Sequence, residues 1–153
     1  MKLYIVQHGE ALHEDVDPDR PLAPEGKRDI RKIAGFLSAA GIHMEQIWHS
    51  RKRRSSESAI IFQEGLKPPG GILQMNGLDP GAEIGPLLSE LGQEKKDLMI
   101  VGHLPFLQKM VSFLLTGKED IPLVTFQKGC VLCLENSRDH WEILFYITPE
   151  LLQ

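Results

Sequence analysis

The sequence predicts a three-layer α/β domain, with a mostly parallel central sheet flanked by helices and residues 1–153 forming one unit. Three observations carry this expectation. Two short runs, Leu3-Tyr4-Ile5-Val6 and Leu98-Met99-Ile100-Val101, are apolar without alternation, the pattern of strands covered on both faces. Stretches with helical spacing of apolar residues alternate with these and with shorter strand signals. The chain has 153 residues, 42% of them hydrophobic, enough for one core and too few for a second domain of ordinary size.

The first run passes directly into Gln7-His8-Gly9-Glu10. A buried strand thus delivers His8 to the rim of the sheet, where side chains past the carboxyl ends of parallel strands face a ligand crevice. Residues 11–23 are rich in Asp, Glu and Pro around Asp17-Pro18-Asp19-Arg20-Pro21-Leu22 and read as a loop beside that rim. A helix is expected over 24–40. Pro24 suits its first position, Ile30, Ile33, Ala34 and Leu37 share one face with Phe36 at the edge, and Gly41 stops the pattern. Gln46-Ile47-Trp48-His49-Ser50 fits a second strand, with Ser50 as the cap of a helix beginning near Arg51. In that helix Arg54, Glu57 and Ser58 share a face, while Ala59, Ile60 and Phe62 are the apolar anchors.

Pro68-Pro69-Gly70-Gly71 marks a break, followed by a third strand over 72–75, a loop over 77–81 and a short helix over 84–91. The second apolar run ends in Gly102-His103 much as the first ends in Gln7-His8. Leu104-Pro105 then opens a helix that buries Phe106, Leu107, Met110, Val111, Leu114 and Leu115 until Gly117. His103 therefore falls at a strand-to-helix turn, where free backbone NH groups and the helix N-terminus favour an anion. Residues 124–126, 130–135 and 141–147 read as closing strands, the last two a hairpin across Asn136-Ser137-Arg138-Asp139.

Composition narrows the function classes. A formal net charge of −4 argues against a general binder of nucleic acid or membrane surfaces, whose footprint is basic. No apolar run approaches the roughly 18 residues of a membrane span, and the opening run is interrupted by Gln7 and His8, so a cytoplasmic protein is expected. Cys130 and Cys133 lie inside a strand-like run, where positions i and i+3 point to opposite faces, which disfavours a redox or metal pair. No metal and no cofactor is expected.

Two histidines at the ends of two buried strands, with arginines nearby in sequence order, suit a phosphoryl group. A neutral imidazole is a competent nucleophile near neutral pH, and phosphohistidine is reactive enough for water to release it. Arginine forks and helix NH groups stabilise the equatorial oxygens, which is most of what phosphoryl transfer requires. The basic run Arg51-Lys52-Arg53-Arg54 is dense for an acidic protein, and Arg54 is the member that shares a helix face with Ser58.

These residues also carry a resemblance. Gln7-His8-Gly9-Glu10 after a strand, Ser50 with Arg54 four residues on and Glu57-Ser58 beyond it, then Gly102-His103-Leu104-Pro105, resemble the histidine phosphatase, or phosphoglycerate mutase-like, superfamily. The length and Arg20-Pro21-Leu22 before the first helix are most similar to its short phosphohistidine phosphatases, the SixA-like group. The resemblance covers nearly the whole chain. It implies His8 as the phosphorylated nucleophile, Arg54 as the phosphate-binding arginine of the second motif and His103 as the second histidine of the pocket. It further implies substrate contacts from Arg20, Gln7, Gly9 and Leu104, and a role in signal transduction. The partner would be a phosphohistidine-containing protein such as a phosphotransfer domain, with neither nucleic acid nor membrane involved.

One departure from the family's pattern matters. Where Arg-His-Gly is usual, this chain has Gln7-His8-Gly9, and a lost charged hydrogen bond in a dry site is worth roughly 1.5–3 kcal/mol. Arg20 or one of residues 51–53 is the expected substitute. Relatives that cleave phosphate esters use an acid in a middle loop to protonate the leaving alcohol, and Gly77-Leu78-Asp79 gives no clear match. That favours phosphohistidine, whose labile bond needs less help from an acid, with Glu10 and Asp79 as the candidate acids of the alternative. A phosphatase of small esters and a phosphate- or phosphoprotein-binding module with weakened catalysis are the competing functions.

Overall fold

A computed structural model describes residues 1–152. In chain order its elements are β1 (Lys2–Gln7), α1 (Pro24–Ala39), β2 (Gln46–His49), α2 (Arg53–Leu66), β3 (Ile72–Gln74), α3 (Gly85–Leu91), β4 (Leu98–Gly102), α4 (Phe106–Thr116), β5 (Val131–Ser137) and β6 (His140–Ile147), with a closing 3-10 turn at Pro149–Leu151. The strands form one sheet in the order β3-β2-β4-β1-β5-β6. β1 to β4 run parallel, and β5 and β6 add antiparallel partners at one side.

The unbroken apolar strands have a physical reason. In β1, Leu3 and Ile5 face one side and Tyr4 and Val6 the other; in β4, Leu98 and Ile100 oppose Met99 and Val101. One face packs with Ile30, Ile33 and Leu37 of α1 and Ala59, Ile61 and Phe62 of α2. The other packs with Leu87 and Leu91 of α3 and Phe106, Leu107, Met110 and Val111 of α4. Each large side chain so buried contributes about 1.5–3 kcal/mol, and the strands have no face left for polar residues. The alternation of faces also separates the two halves of the core, which gives the three layers.

Four expectations are corrected. α2 begins at Arg53 with Lys52 at the cap, not near Arg51 under a Ser50 cap; at the start of the helix, Ser50 Oγ meets just the Lys52 N–H, at 3.2 Å. Ile61, not Ile60, anchors that helix. Within the run Ile60-Ile61-Phe62, periodicity alone does not say which member turns outward. Leu114 and Leu115 are only partly buried at the end of α4, which stops where Gly117 takes the left-handed conformation at φ 78. Residues 124–126 form no strand. Val124 and Phe126 lie against the α3–α4 side of the core, and the backbone there is tied by the Tyr146 hydroxyl, which donates to the Thr125 carbonyl at 2.6 Å. Cys130 and Cys133 are both buried and unbonded.

The loop after β1 is held against α1. Ala23 N–H donates to the Glu10 carbonyl, Leu12 N–H to the Pro21 carbonyl, and Ala11 bridges Leu22. Gly26 in α1 sits so close to this strand end that a Cβ would fall 2.1 Å from the Glu10 carbonyl oxygen, whereas a Cβ on the exposed Gly35 of the same helix would meet nothing within 4 Å. Gly26→Ala is therefore expected to destabilise by about 1–3 kcal/mol or more through overpacking, while Gly35→Ala stabilises by about 0.5–1 kcal/mol. Denaturant titration of the two variants checks this; equal midpoints would mean that α1 does not seat on the strand end.

Candidate active site

Parallel register assembles the site. β1 and β4 pair with Gln7 opposite Gly102, and the next residues, His8 and His103, emerge side by side. The ladder continues one step, His8 N–H donating to the Gly102 carbonyl at 3.1 Å. The imidazole centroids stand 4.9 Å apart with the rings tilted by 52°. β2 pairs with β4 so that His49 lies opposite Val101, which brings Ser50 beside His103. Its Oγ lies 2.6 Å from His103 Nε2.

His8 is held in one tautomer. Its Nδ1 lies 2.7 Å from the Gly9 carbonyl, and a carbonyl only accepts, so Nδ1 carries the proton and Nε2 the lone pair. Gly9 is fixed in turn, its N–H donating to Ser58 Oγ at 3.0 Å while the Ser58 hydroxyl donates to the Arg54 carbonyl at 2.7 Å. Both polar groups of Gly9 are thus engaged, and its place in the site is to orient His8. A side chain there would also press on Ile30, Leu22 and the Gly26 carbonyl.

Burial sets the charge state. His8 and His103 are 4% and 2% exposed, and removal from water pushes each imidazole down to about 3. Nearby charge adds to the effect: Arg54 and Lys52 act on His103, while at His8 the adjacent His103 ring disfavours a second proton and Lys128 acts as a cation. Both rings are neutral at physiological pH, as a nitrogen nucleophile requires.

The cations converge on these rings. Arg54, half-buried, has an Nε without a hydrogen-bond partner, and burial followed by the charge of Arg20 disfavours its protonated form. Arg20 adopts a left-handed backbone at φ 48, strained for a residue with a side chain, and its Nε donates to the Leu12 carbonyl at 3.0 Å. Two guanidinium groups near one another, beside a helix whose first turn holds no acidic residue, form an unneutralised positive field that an anion relieves. His103 Nδ1 and Gln7 Oε1 are likewise buried without partners.

Of the residues expected from sequence, His8, His103, Arg54, Arg20, Gln7 and Gly9 are gathered at these strand ends. Leu104 adjoins His103, but its side chain packs into the α3–α4 half of the core. Arg51 and Arg53 are engaged elsewhere, with Asp79 at 2.9 Å and Glu57 at 2.7 Å. Ser50 as the partner of His103, and Lys52 and Lys128 as neighbouring charges, were not legible in the sequence. Only the strand pairing places Ser50, and Lys128 arrives from a segment with no motif.

No protein-family model and no curated protein matches the chain. Solved structures do. A structure of the protein histidine phosphatase SixA complexed with tungstate aligns over 100% of both chains with a TM-score of 0.89 at 19% identity. The alpha-ribazole phosphatase from Shigella flexneri aligns over 97% of both chains with a TM-score of 0.80 at 13% identity. A mutant phosphoserine phosphatase from Entamoeba histolytica in complex with phosphoserine aligns over 99% of both chains with a TM-score of 0.72 at 14% identity. The six-stranded, mostly parallel sheet between helices is the histidine phosphatase fold.

The depressed histidines make stability pH-dependent. Their folded value of about 3 lies below the ordinary 6.5, so between these values the unfolded chain binds protons that the folded chain refuses. Their contribution is complete above about pH 6.5 and is lost as pH falls toward 3. His8→Asn is expected to flatten the fall in unfolding free energy between about pH 6.5 and 4, by up to about 1.4 kcal/mol per pH unit. Urea titrations across that range read the slope; an unchanged slope would show His8 protonating freely in the folded protein.

Proposed function

We propose that this chain is a phosphatase that hydrolyses phosphohistidine on a partner protein, through a phosphohistidine of its own at His8. The observation that carries the reading is the neutral His8, its Nδ1 proton held by the Gly9 carbonyl and its ring beside His103 among cations left without a counter-charge. In the first step His8 Nε2 attacks phosphorus in line, the new nitrogen–phosphorus bond forms as the old one breaks, and the substrate imidazole leaves with a proton from solvent. In the second, water attacks the same phosphorus, His8 is regenerated and inorganic phosphate departs. Arg54 and Arg20 hold the equatorial oxygens, and His103, fixed by Ser50, hydrogen-bonds one of them.

The leaving group separates this reading from an ester phosphatase like the alpha-ribazole and phosphoserine enzymes that share the fold. An alcohol needs a proton donor, and the candidate acid of the middle loop, Asp79, is held in an ion pair with Arg51 at 2.9 Å. An imidazole leaves from a more labile bond and needs less help. The partner we infer is a phosphotransfer domain of a cytoplasmic signalling relay. Among the described residues no helix is long and apolar enough to cross a membrane.

Incubation with a phosphorylated phosphotransfer domain is expected to release phosphate faster than any member of a phosphate-ester panel and to leave an acid-labile phosphoenzyme in single turnover. His8→Ala is expected to lose the phosphoenzyme and about 10⁴-fold or more of the rate. Preference for an ester would select the ester phosphatase, and saturable binding without a phosphoenzyme would select a binding module.

A further inference from the structure

The charged groups around the two histidines approach from two directions. Arg54, Arg20 and Lys52 come from α2 and the loop after β1. Lys128 comes from the segment between α4 and β5, and that segment is joined to the end of β1, since Gly129 N–H lies 3.0 Å from the Gln7 carbonyl and 3.2 Å from that of His8. The Lys128 side chain is 35% exposed, and its Nζ stands 3.9 Å from Glu10 Oε1. That separation exceeds a hydrogen bond, so the ammonium keeps its donors for another acceptor. Its charge reaches both imidazoles, lowering each. At the same strand end Gln7 is buried and offers an amide with no charge.

We propose that Lys128 is a phosphoryl-binding residue, the cation that serves the β1 side of the site where Gln7 brings none. Its ammonium leaves Glu10 and hydrogen-bonds a phosphoryl oxygen on the side opposite Arg54. This differs from the sequence-based expectation that Arg20 or one of residues 51–53 would make up the missing charge. Arg51 and Arg53 are neutralised by Asp79 and Glu57, and Arg20 and Lys52 approach from the Arg54 side. A lysine in this role is a mobile point charge, where an arginine at position 7 would be a fixed fork.

The inference rests on the phosphatase reading only in needing a site for a tetrahedral oxyanion, so tungstate binding measured by calorimetry tests it apart from turnover. Lys128→Gln is expected to weaken tungstate about tenfold or more, and Lys128→Arg to stay within about threefold of the native protein. With Gln7→Arg already in place, Lys128→Gln is expected to cost less than about threefold. A loss under threefold in the native background, or an equal loss in both backgrounds, overturns the assignment. Failure to hydrolyse phosphohistidine while tungstate still binds would sink the proposed activity and leave this test standing.

Discussion

The parallel pairing of β1 with β4, Gln7 opposite Gly102, is the constraint from which the candidate site follows. Neither strand has a polar face, so register is held by the fit of Leu3, Ile5, Leu98 and Ile100 on one side and Tyr4, Val6, Met99 and Val101 on the other. A slip of one residue would exchange these sets and carry one histidine about 3.3 Å from its neighbour. The close approach of the two rings is thus set by packing in the middle of the sheet, well below the rim where they sit. The same packing explains why α1 seats on the strand end through a glycine.

The electrostatics follow from that burial. Desolvation keeps the imidazoles neutral, and it also raises the cost of holding Arg54 beside Arg20. The site accepts this cost along with the left-handed backbone of Arg20 and the unpartnered atoms of Arg54, His103 and Gln7. The groups of His103 and Gln7 lie at the ends of neighbouring strands, with Arg54 in the first turn of α2 beside them. Strain and missing side-chain partners, concentrated where charge has accumulated, are the features on which the proposed anion site rests.

Much of this was legible in the residues. β1 and β4 are uninterrupted apolar runs, so their ends, and with them His8 and His103, stand out without a structure. The helical face of α1 was equally plain, as was that of α4 as far as Val111. What failed did so for identifiable reasons. Val124, Thr125 and Phe126 have strand-like composition, yet they serve as a cover over the α3–α4 half of the core. Ser50 has the chemistry of a cap, but its neighbour across the sheet is a histidine fifty-three positions later. Lys128 belongs to no local pattern, because its proximity to His8 is created by a return of the chain that only tertiary structure reveals.

In the proposed reaction, the hydrogen bond from His8 Nδ1 to the Gly9 carbonyl also decides an isomer. Imidazole offers two nitrogens to phosphorus, and the two phosphorylated products are distinct compounds. With Nδ1 committed to the backbone, only the tele product, substituted at Nε2, forms at His8 without rupture of a buried hydrogen bond. In that reaction the main chain of a single glycine acts as a regiochemical filter, and the Ser58 hydroxyl that fixes Gly9 supports it.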